Sequence, residues 1–120
     1  KPKKVIPVKS TNMHIVINKD GHVLLQKRPP TGIWASLWSL PEGELSLPHL
    51  QLNKGSRWPE IRHTFSHFHL DITPIQYRSK GGHSLMEPNQ WLWYNLNQPA
   101  EVGLAAPVSK LLAKLKTVKT

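Results

Sequence analysis

The sequence contains no cysteine, and this absence excludes disulfides, thiolate-bound zinc and cysteine nucleophiles together. Long apolar runs are missing as well, because no stretch approaches the roughly 18 residues that a membrane span needs. We therefore expect no membrane-spanning segment, and an intracellular location is compatible with the lack of cysteine.

Acidic residues are scarce, with 7 Asp and Glu against 16 Lys and Arg, and the formal net charge is +9. Half of the basic residues lie at the two ends of the chain, namely Lys1, Lys3, Lys4, Lys9, Lys110, Lys114, Lys116 and Lys119. The rest of the sequence is nearly neutral. This balance is compatible with nucleic-acid binding, but a run of lysines is also typical of a solvated tail, so charge alone leaves both interpretations open.

The length and composition indicate one compact, loop-rich domain of the α+β or β class. The chain has 120 residues, of which 38% are hydrophobic, 11 are proline and 7 are glycine. Its start is rich in lysine and proline and has no methionine, which is typical of a linker. We predict an interdomain linker at residues 1–10, a domain at residues 11–118, and a chain that is a fragment of a longer protein.

Alternation of apolar and polar residues predicts most of the strands. They are expected at residues 11–18, 22–28, 60–66, 67–76 and 90–96, with a short irregular strand within residues 33–41. Asp20 and Gly21 predict a hairpin turn between the first two strands, and Pro74 indicates a strand end or an edge. The remaining elements are one or two helical turns at residues 47–53, a loop at residues 79–89, and an amphipathic helix that begins at Pro107.

The stretch of residues 61–72 changes its alternation halfway. Apolar side chains fall on odd positions up to Phe65 and on even positions from Phe68 onward. A slip of one residue moves every side chain to the opposite face of a sheet, so one continuous strand would misplace one of the two sets. We therefore predict a bend, bulge or loop at residues 65–67, with Phe65 projecting from the turn beside a hydroxyl and an imidazole.

Plainer interpretations of the aromatic residues remain open. Phe65 could be an ordinary core side chain. Trp34 and Trp38 are more typical of packed aromatics beneath a loop than of a ligand-stacking site.

The same stretch raises two further hypotheses, a metal site and a nucleophilic serine, and the sequence alone establishes neither. His63, His67 and His69 could bind zinc or nickel if further ligands of matching geometry lie nearby. A nucleophilic Ser66 activated by His67 is disfavoured, because adjacent residues of an extended chain point apart.

Residues 24–29, 32–34 and 38–44 resemble the opening half of a Nudix, or MutT-like, domain. The resemblance implies an α+β fold in which helices flank a mixed β-sheet. Nudix hydrolysis uses a helix whose glutamates bind divalent metal at a pyrophosphate. No Asp or Glu lies between Glu44 and Glu60, so we expect a degenerate Nudix helix, no metal site and no pyrophosphatase activity.

Residues 63–72, 92–96 and 102–108 resemble, in that order, the C-terminal domain of A/G-specific adenine DNA glycosylases. The resemblance implies a domain that recognises 8-oxoguanine opposite adenine in double-stranded DNA during base excision repair. An upstream catalytic domain with a 4Fe–4S cluster would excise the adenine, as a hydrolase of N-glycosyl bonds. This chain would then be non-catalytic and hold no cofactor, within a cytoplasmic, nucleoid-associated protein of bacterial type.

Carried over residue by residue, the recognition loop of that family falls on Phe65, Ser66 and His67. Oxidation at C8 turns guanine N7 into an N–H donor and adds a carbonyl, and the Ser66 hydroxyl can both accept and donate. Phe65 could wedge at the neighbouring base step, and His67 could contact phosphate or brace the loop. Arg62 and the terminal lysines would attract the DNA backbone. The rival functions are a divergent Nudix nucleotide pyrophosphatase and a non-catalytic protein-interaction domain.

Overall fold

The computed structural model describes residues 5–44, 50–80 and 89–118. Within them the strands are β1 (Val8–Ile17), β2 (Val23–Lys27), β3 (Trp38–Ser39), β4 (Ser56–Arg57), β5 (Ile61–Thr64), β6 (His69–Arg78) and β7 (Trp91–Tyr94), and the helix is α1 (Ala106–Val118). The predicted α+β class is confirmed. No helix in these residues is both long and apolar enough to cross a membrane.

The strands form one mixed sheet in the order β3-β2-β1-β6-β4, with β7 paired to β2 and β5 paired to β6. β1 and β6 run parallel, from Val8 opposite His69 to Ile17 opposite Arg78, whereas the other pairs are antiparallel. Parallel neighbours require a long connection, which the intervening strands supply. This central pair places the β5–β6 connection at one end of the sheet and the β1–β2 turn at the other.

The helix α1 covers one face of the sheet with the apolar stripe that its sequence predicts. The buried side chains of this stripe are Val108, Leu111, Leu112 and Leu115. They share one core cluster with sheet residues that include Met13, Ile15, Leu70 and Ile72. Lys110 and Lys114 are exposed, as predicted. A smaller cluster on the opposite face contains Val16, Leu24 and Leu50.

The first strand begins at Val8, so three residues of the segment predicted to be a linker belong to the sheet. Residues 8–10 pair with residues 69–71 of β6 through their backbones. Their side chains are exposed, and therefore no apolar alternation marks the start of the strand.

Pro74 lies inside β6, which has β1 on one side and β4 and β5 on the other, so the prediction of a strand end or an edge is wrong. β6 continues to Arg78. Pro74 lies opposite the gap in the neighbouring edge between β4, which ends at Arg57, and β5, which begins at Ile61. Its carbonyl accepts a hydrogen bond of 2.8 Å from the Trp58 N–H.

Other boundaries differ from the predictions by a few residues. The irregular strand expected within residues 33–41 is the short β3, and β7 ends at Tyr94 because Asn95 begins a turn by accepting a hydrogen bond of 2.9 Å from the Asn97 N–H. The expected helical turns at residues 47–53 and the degenerate Nudix helix lie partly outside the described residues, as does the loop expected at residues 79–89. Between Leu50 and β4 the chain forms no regular strand or α-helix, apart from an isolated bridge between Leu52 and Ser79.

Candidate functional site

The bend, bulge or loop predicted at residues 65–67 is the turn of a tight hairpin between β5 and β6. The two strands pair antiparallel, with Thr64 opposite His69. The Phe65 N–H then donates a hydrogen bond of 2.8 Å to the Phe68 carbonyl, which leaves Ser66 and His67 as a tip of two exposed residues. The reversal accounts for the change in alternation, because the chain crosses to the neighbouring strand between the two apolar sets.

Phe65 is half-buried in a cluster of rings, so the prediction that it projects freely from the turn is wrong. Its ring stacks on Phe68 with centroids 4.6 Å apart. It also contacts His63 edge-on at 4.7 Å and Trp34 at 5.2 Å. These rings pack against the main core. Phe65 therefore lies at the edge of the hydrophobic core, and its packing anchors the residue directly before the exposed tip.

The outer face of the hairpin carries a bidentate ion pair between Arg62 and Asp71. Arg62 Nε lies 2.6 Å from one carboxylate oxygen and the second guanidinium nitrogen lies 3.0 Å from the other. The hydrogen bond to Asp71 raises the pKa of Arg62, and the reciprocal bond lowers the pKa of Asp71. Arg62 is thus close to the tip, as expected, but its charge is already paired.

The three histidines of this stretch do not converge on a metal site. His63 lies on the inner face, against the rings of Trp34 and Phe65. His69 lies on the outer face, where its Nδ1 forms a hydrogen bond of 2.9 Å with the Thr64 hydroxyl. No group of three His, Cys, Asp or Glu side chains within the described ranges could hold a metal ion. The sequence hypothesis of a zinc or nickel site is therefore not supported.

Lysine side chains lie near the inner face of the hairpin, which is the face that packs toward the core. Lys9 Nζ lies 4.6 Å from the centroid of the Phe68 ring, and Lys114 Nζ lies 5.9 Å from the centroid of the Trp58 ring. A cavity of about 220 Å³ separates β5 from α1, and both Lys110 and Lys114 line it. The sequence assigned Lys9 to a linker, and only the β1–β6 register reveals its place beside the tip.

Another cavity lies at the junction of β2, β3 and the turn after β3. Its volume is about 550 Å³, and it is lined by Gln26, Lys27, Arg28, Pro29, Pro30, Ser36, Ser39, Leu40, Glu42, Asn89 and Gln90. Among these residues Glu42 carries the one carboxylate. That group already accepts hydrogen bonds from Arg28 at 2.5 Å and from Thr11 at 3.2 Å.

A divalent cation of the kind that Nudix hydrolysis requires does not fit this donor set. Hard cations take several oxygen ligands, and carboxylates are the usual protein ligands. Glu42 is neutralised by Arg28, and the sequence offers no acid between Glu44 and Glu60. The residues of the cavity therefore argue against the pyrophosphatase alternative.

Sequence comparisons relate the chain to two groups of proteins. A family profile described as NUDIX domain matches residues 12–114. The adenine DNA glycosylase of Buchnera aphidicola subsp. Baizongia pistaciae (strain Bp) is 29% identical over 128 residues, covering 100% of the chain and 36% of that protein. The adenine DNA glycosylase of Buchnera aphidicola subsp. Acyrthosiphon pisum (strain APS) is 30% identical over 123 residues, covering 95% of the chain and 35% of that protein. The chain thus spans about a third of the length of these curated relatives.

Solved structures give the same fold. The C-terminal domain of mouse MUTYH, crystallised in complex with human PCNA, has a TM-score of 0.68 at 18% identity over 90% of this chain and 87% of its own. MutT NUDIX hydrolase from Burkholderia pseudomallei has a TM-score of 0.67 at 16% identity over 90% of this chain and 98% of its own. The predicted Nudix-like fold and the predicted likeness to adenine DNA glycosylases are both confirmed. The chain belongs to the NUDIX domain family.

Proposed function

We propose that this chain is the lesion-recognition domain of an adenine DNA glycosylase, and that the hairpin tip reads 8-oxoguanine opposite adenine. The observation that carries the proposal is the exposed tip of Ser66 and His67 on a hairpin that is fixed on both faces. A recognition group must present its polar atoms in one position, and residues held by rigid strands do this better than a free loop. The similarity to adenine DNA glycosylases supplies the class of DNA substrate.

Ser66 is the residue that we assign to the oxidised base. In guanine N7 accepts a hydrogen bond, whereas in 8-oxoguanine N7 carries a proton and C8 carries an oxygen. A serine hydroxyl has one donor hydrogen and two acceptor lone pairs. It can therefore donate to N7 of guanine or accept from the N7–H of 8-oxoguanine. Ser66 is exposed at the tip, where its hydroxyl can meet a base edge.

In this proposal Phe65 is a wedge that neighbouring rings support. Its ring is backed by Phe68 and Trp34, so its exposed edge meets the neighbouring base step as a supported surface. A wedge that separates two stacked bases must resist being pushed back, because unstacking costs a few kcal/mol per step. The aromatic cluster provides this resistance without a change of conformation.

The lysines around the inner face provide the attraction to DNA phosphates. Lys9, Lys110 and Lys114 lie next to the hairpin and the β5–α1 cavity. Arg62 adds less attraction to the phosphates than an unpaired arginine would, because Asp71 neutralises its charge. Binding through these groups would fall with salt as the condensed counterions are released.

Excision of adenine belongs, in this proposal, to a catalytic domain outside the chain. The 4Fe–4S cluster would lie there too, since this sequence has no cysteine. The natural gene product would then act in the cytoplasm, on the nucleoid. The chain spans about a third of the length of the glycosylases it matches, and this proposal assigns the chemistry to another part of such a protein.

Assays of the natural gene product that carries this chain test the proposal against its two rivals. The proposal predicts excision of adenine opposite 8-oxoguanine and no magnesium-dependent turnover of nucleoside triphosphates. Turnover of nucleotides without excision would establish the pyrophosphatase instead. Excision whose lesion preference does not respond to changes at Ser66 would leave the domain with a purely structural or protein-binding role.

A further inference from the structure

The segment between β2 and β3 holds Trp34 in a backbone conformation that tryptophan rarely adopts. Its φ angle is 51°, and Ser36, two residues later, has a φ angle of 61°. Side chains other than glycine pay a steric cost in this region, and such residues persist only where their surroundings enforce the conformation. The position of Trp34 is thus maintained against its own backbone preference.

Hydrogen bonds inside the segment enforce this conformation. The Ser36 N–H donates to the Pro29 carbonyl at 2.8 Å, and the Leu37 N–H donates to the Trp34 carbonyl at 3.1 Å. Arg28 Nε donates to the Ile33 carbonyl at 3.2 Å. The same guanidinium forms an ion pair with Glu42, which lines the cavity beside β2 and β3. This ion pair fixes the Arg28 side chain, and Arg28 in turn holds the segment that contains Trp34.

The indole of Trp34 reaches the hairpin at two points on its inner face. Its centroid lies 5.2 Å from that of Phe65 and 5.4 Å from that of His63. Both partners belong to the arm of the hairpin that leads into Ser66, whereas Phe68 leads away from the tip. Trp34 therefore contacts the first arm directly before the residue that we assign to the lesion.

We infer that Trp34 is a positioning residue that sets the orientation of the tip and thereby its discrimination between 8-oxoguanine and guanine. This inference rests on the proposed function of the hairpin. A ring that supports Phe65 from behind limits the tilt of the Phe65 backbone, and Ser66 is bonded to that backbone. A plain core tryptophan would change the stability of the domain without changing the ratio of the two base preferences.

The test compares tryptophan variants in the natural gene product. Trp34→Ala should lower the ratio of kcat/KM for adenine opposite 8-oxoguanine to that for adenine opposite guanine by about two- to thirtyfold, the range for residues that act on a site through a neighbour. Trp34→Phe should restore most of the ratio, because it retains a ring at that position. Trp91→Ala is the matched control, since Trp91 is also half-buried but packs in the cluster on the opposite face, and it should leave the ratio unchanged.

A second measurement does not depend on excision. Hydrogen exchange of the Phe65 amide, which is bonded to the Phe68 carbonyl, should become about tenfold faster in Trp34→Ala than in Trp91→Ala, because local opening becomes easier. Trp34→Leu replaces the alanine variant if that variant does not fold. Unchanged exchange and an unchanged preference ratio in a folded Trp34 variant would overturn the inference. If Ser66→Ala also leaves the ratio unchanged, the proposed function fails as well; if Ser66→Ala lowers it, the inference about Trp34 alone is wrong.

Discussion

Arg62 and Asp71 face each other across the hairpin and join its two strands by a pair of hydrogen bonds, 2.6 and 3.0 Å long. They are register partners, so the ion pair fixes the alignment from which the tip follows. The sequence placed Arg62 among the groups that attract DNA. The structure shows that the same guanidinium is paired with Asp71 within the hairpin.

The contribution of this ion pair should depend on pH in the acidic range. The pKa of Asp71 is lowered in the folded protein, so the stabilisation is complete above the ordinary aspartate pKa of about 4 and is lost as the pH falls through the lowered value. Asp71→Asn should therefore lower the urea midpoint at pH 7 and have a smaller effect near pH 2.5. Arg62 remains charged throughout, because its pKa is raised.

A double-mutant cycle separates the pair from other effects of the substitutions. Arg62→Gln should have the same pH dependence as Asp71→Asn, and the two changes together should cost little more than either one. Equal losses for Asp71→Asn at pH 7 and pH 2.5 would show that the carboxylate acts through packing and not through its charge.

Phe65 should affect both stability and recognition, because it is half-buried and adjoins the tip. Phe65→Ala should lower the free energy of unfolding by about 1–3 kcal/mol, less than a fully buried phenylalanine would. Phe65→Leu should recover most of this stability, since it restores apolar volume, but not the preference for the lesion. Thermal unfolding and excision assays on both variants separate the two effects. A leucine variant with full lesion preference would mark Phe65 as core filler alone.

The lysines on the inner face should determine how steeply DNA binding falls with salt. Each lost phosphate contact reduces the slope of log K against log salt by about 0.9 on B-form DNA. Lys110→Gln with Lys114→Gln should therefore flatten the slope by about 1.8, equally for lesion and undamaged duplexes, as phosphate contacts carry no sequence information.

The control for this prediction uses two lysines at the far end of the sheet. Lys19 lies in the turn that follows β1, and Lys54 lies next to Asn53, which pairs with Arg78 at the end of β6. Lys19→Gln with Lys54→Gln removes the same charge but should leave the slope nearly unchanged. Equal slopes for the two double variants would mean that the net charge of the domain, and not the inner face, attracts the DNA.

The elements that could be predicted from the sequence are those whose signal is local. The change of alternation between Phe65 and Phe68 locates the hairpin, and the spacing of leucines defines the buried face of α1. A reversal centred on Ser66 and His67 even implies the pairing of Arg62 with Asp71, although a bend predicted only to within three residues does not fix that register.

The features that could not be predicted depend on contacts between distant segments. Trp34 is 31 residues before Phe65, and its positive φ angle leaves no mark in the residue pattern. Lys9 approaches Phe68 only because β1 runs parallel to β6. The position of Pro74 inside β6, opposite a gap in the neighbouring edge, likewise depends on how β4 and β5 align with β6. The residue pattern thus locates the tip, and contacts between distant segments determine how the tip residues are held.

The most direct test of the account is the effect of Ser66→Ala on lesion preference in the natural gene product. The measurement is kcat/KM for adenine excision opposite 8-oxoguanine and opposite guanine, with Ser109→Ala, an exposed serine on α1, as the control. We expect Ser66→Ala to reduce the preference by about 1–3 kcal/mol, the value of a good base contact, while the melting temperature and the Ser109→Ala preference stay at the wild-type level. A folded Ser66→Ala protein with the full wild-type preference would contradict it.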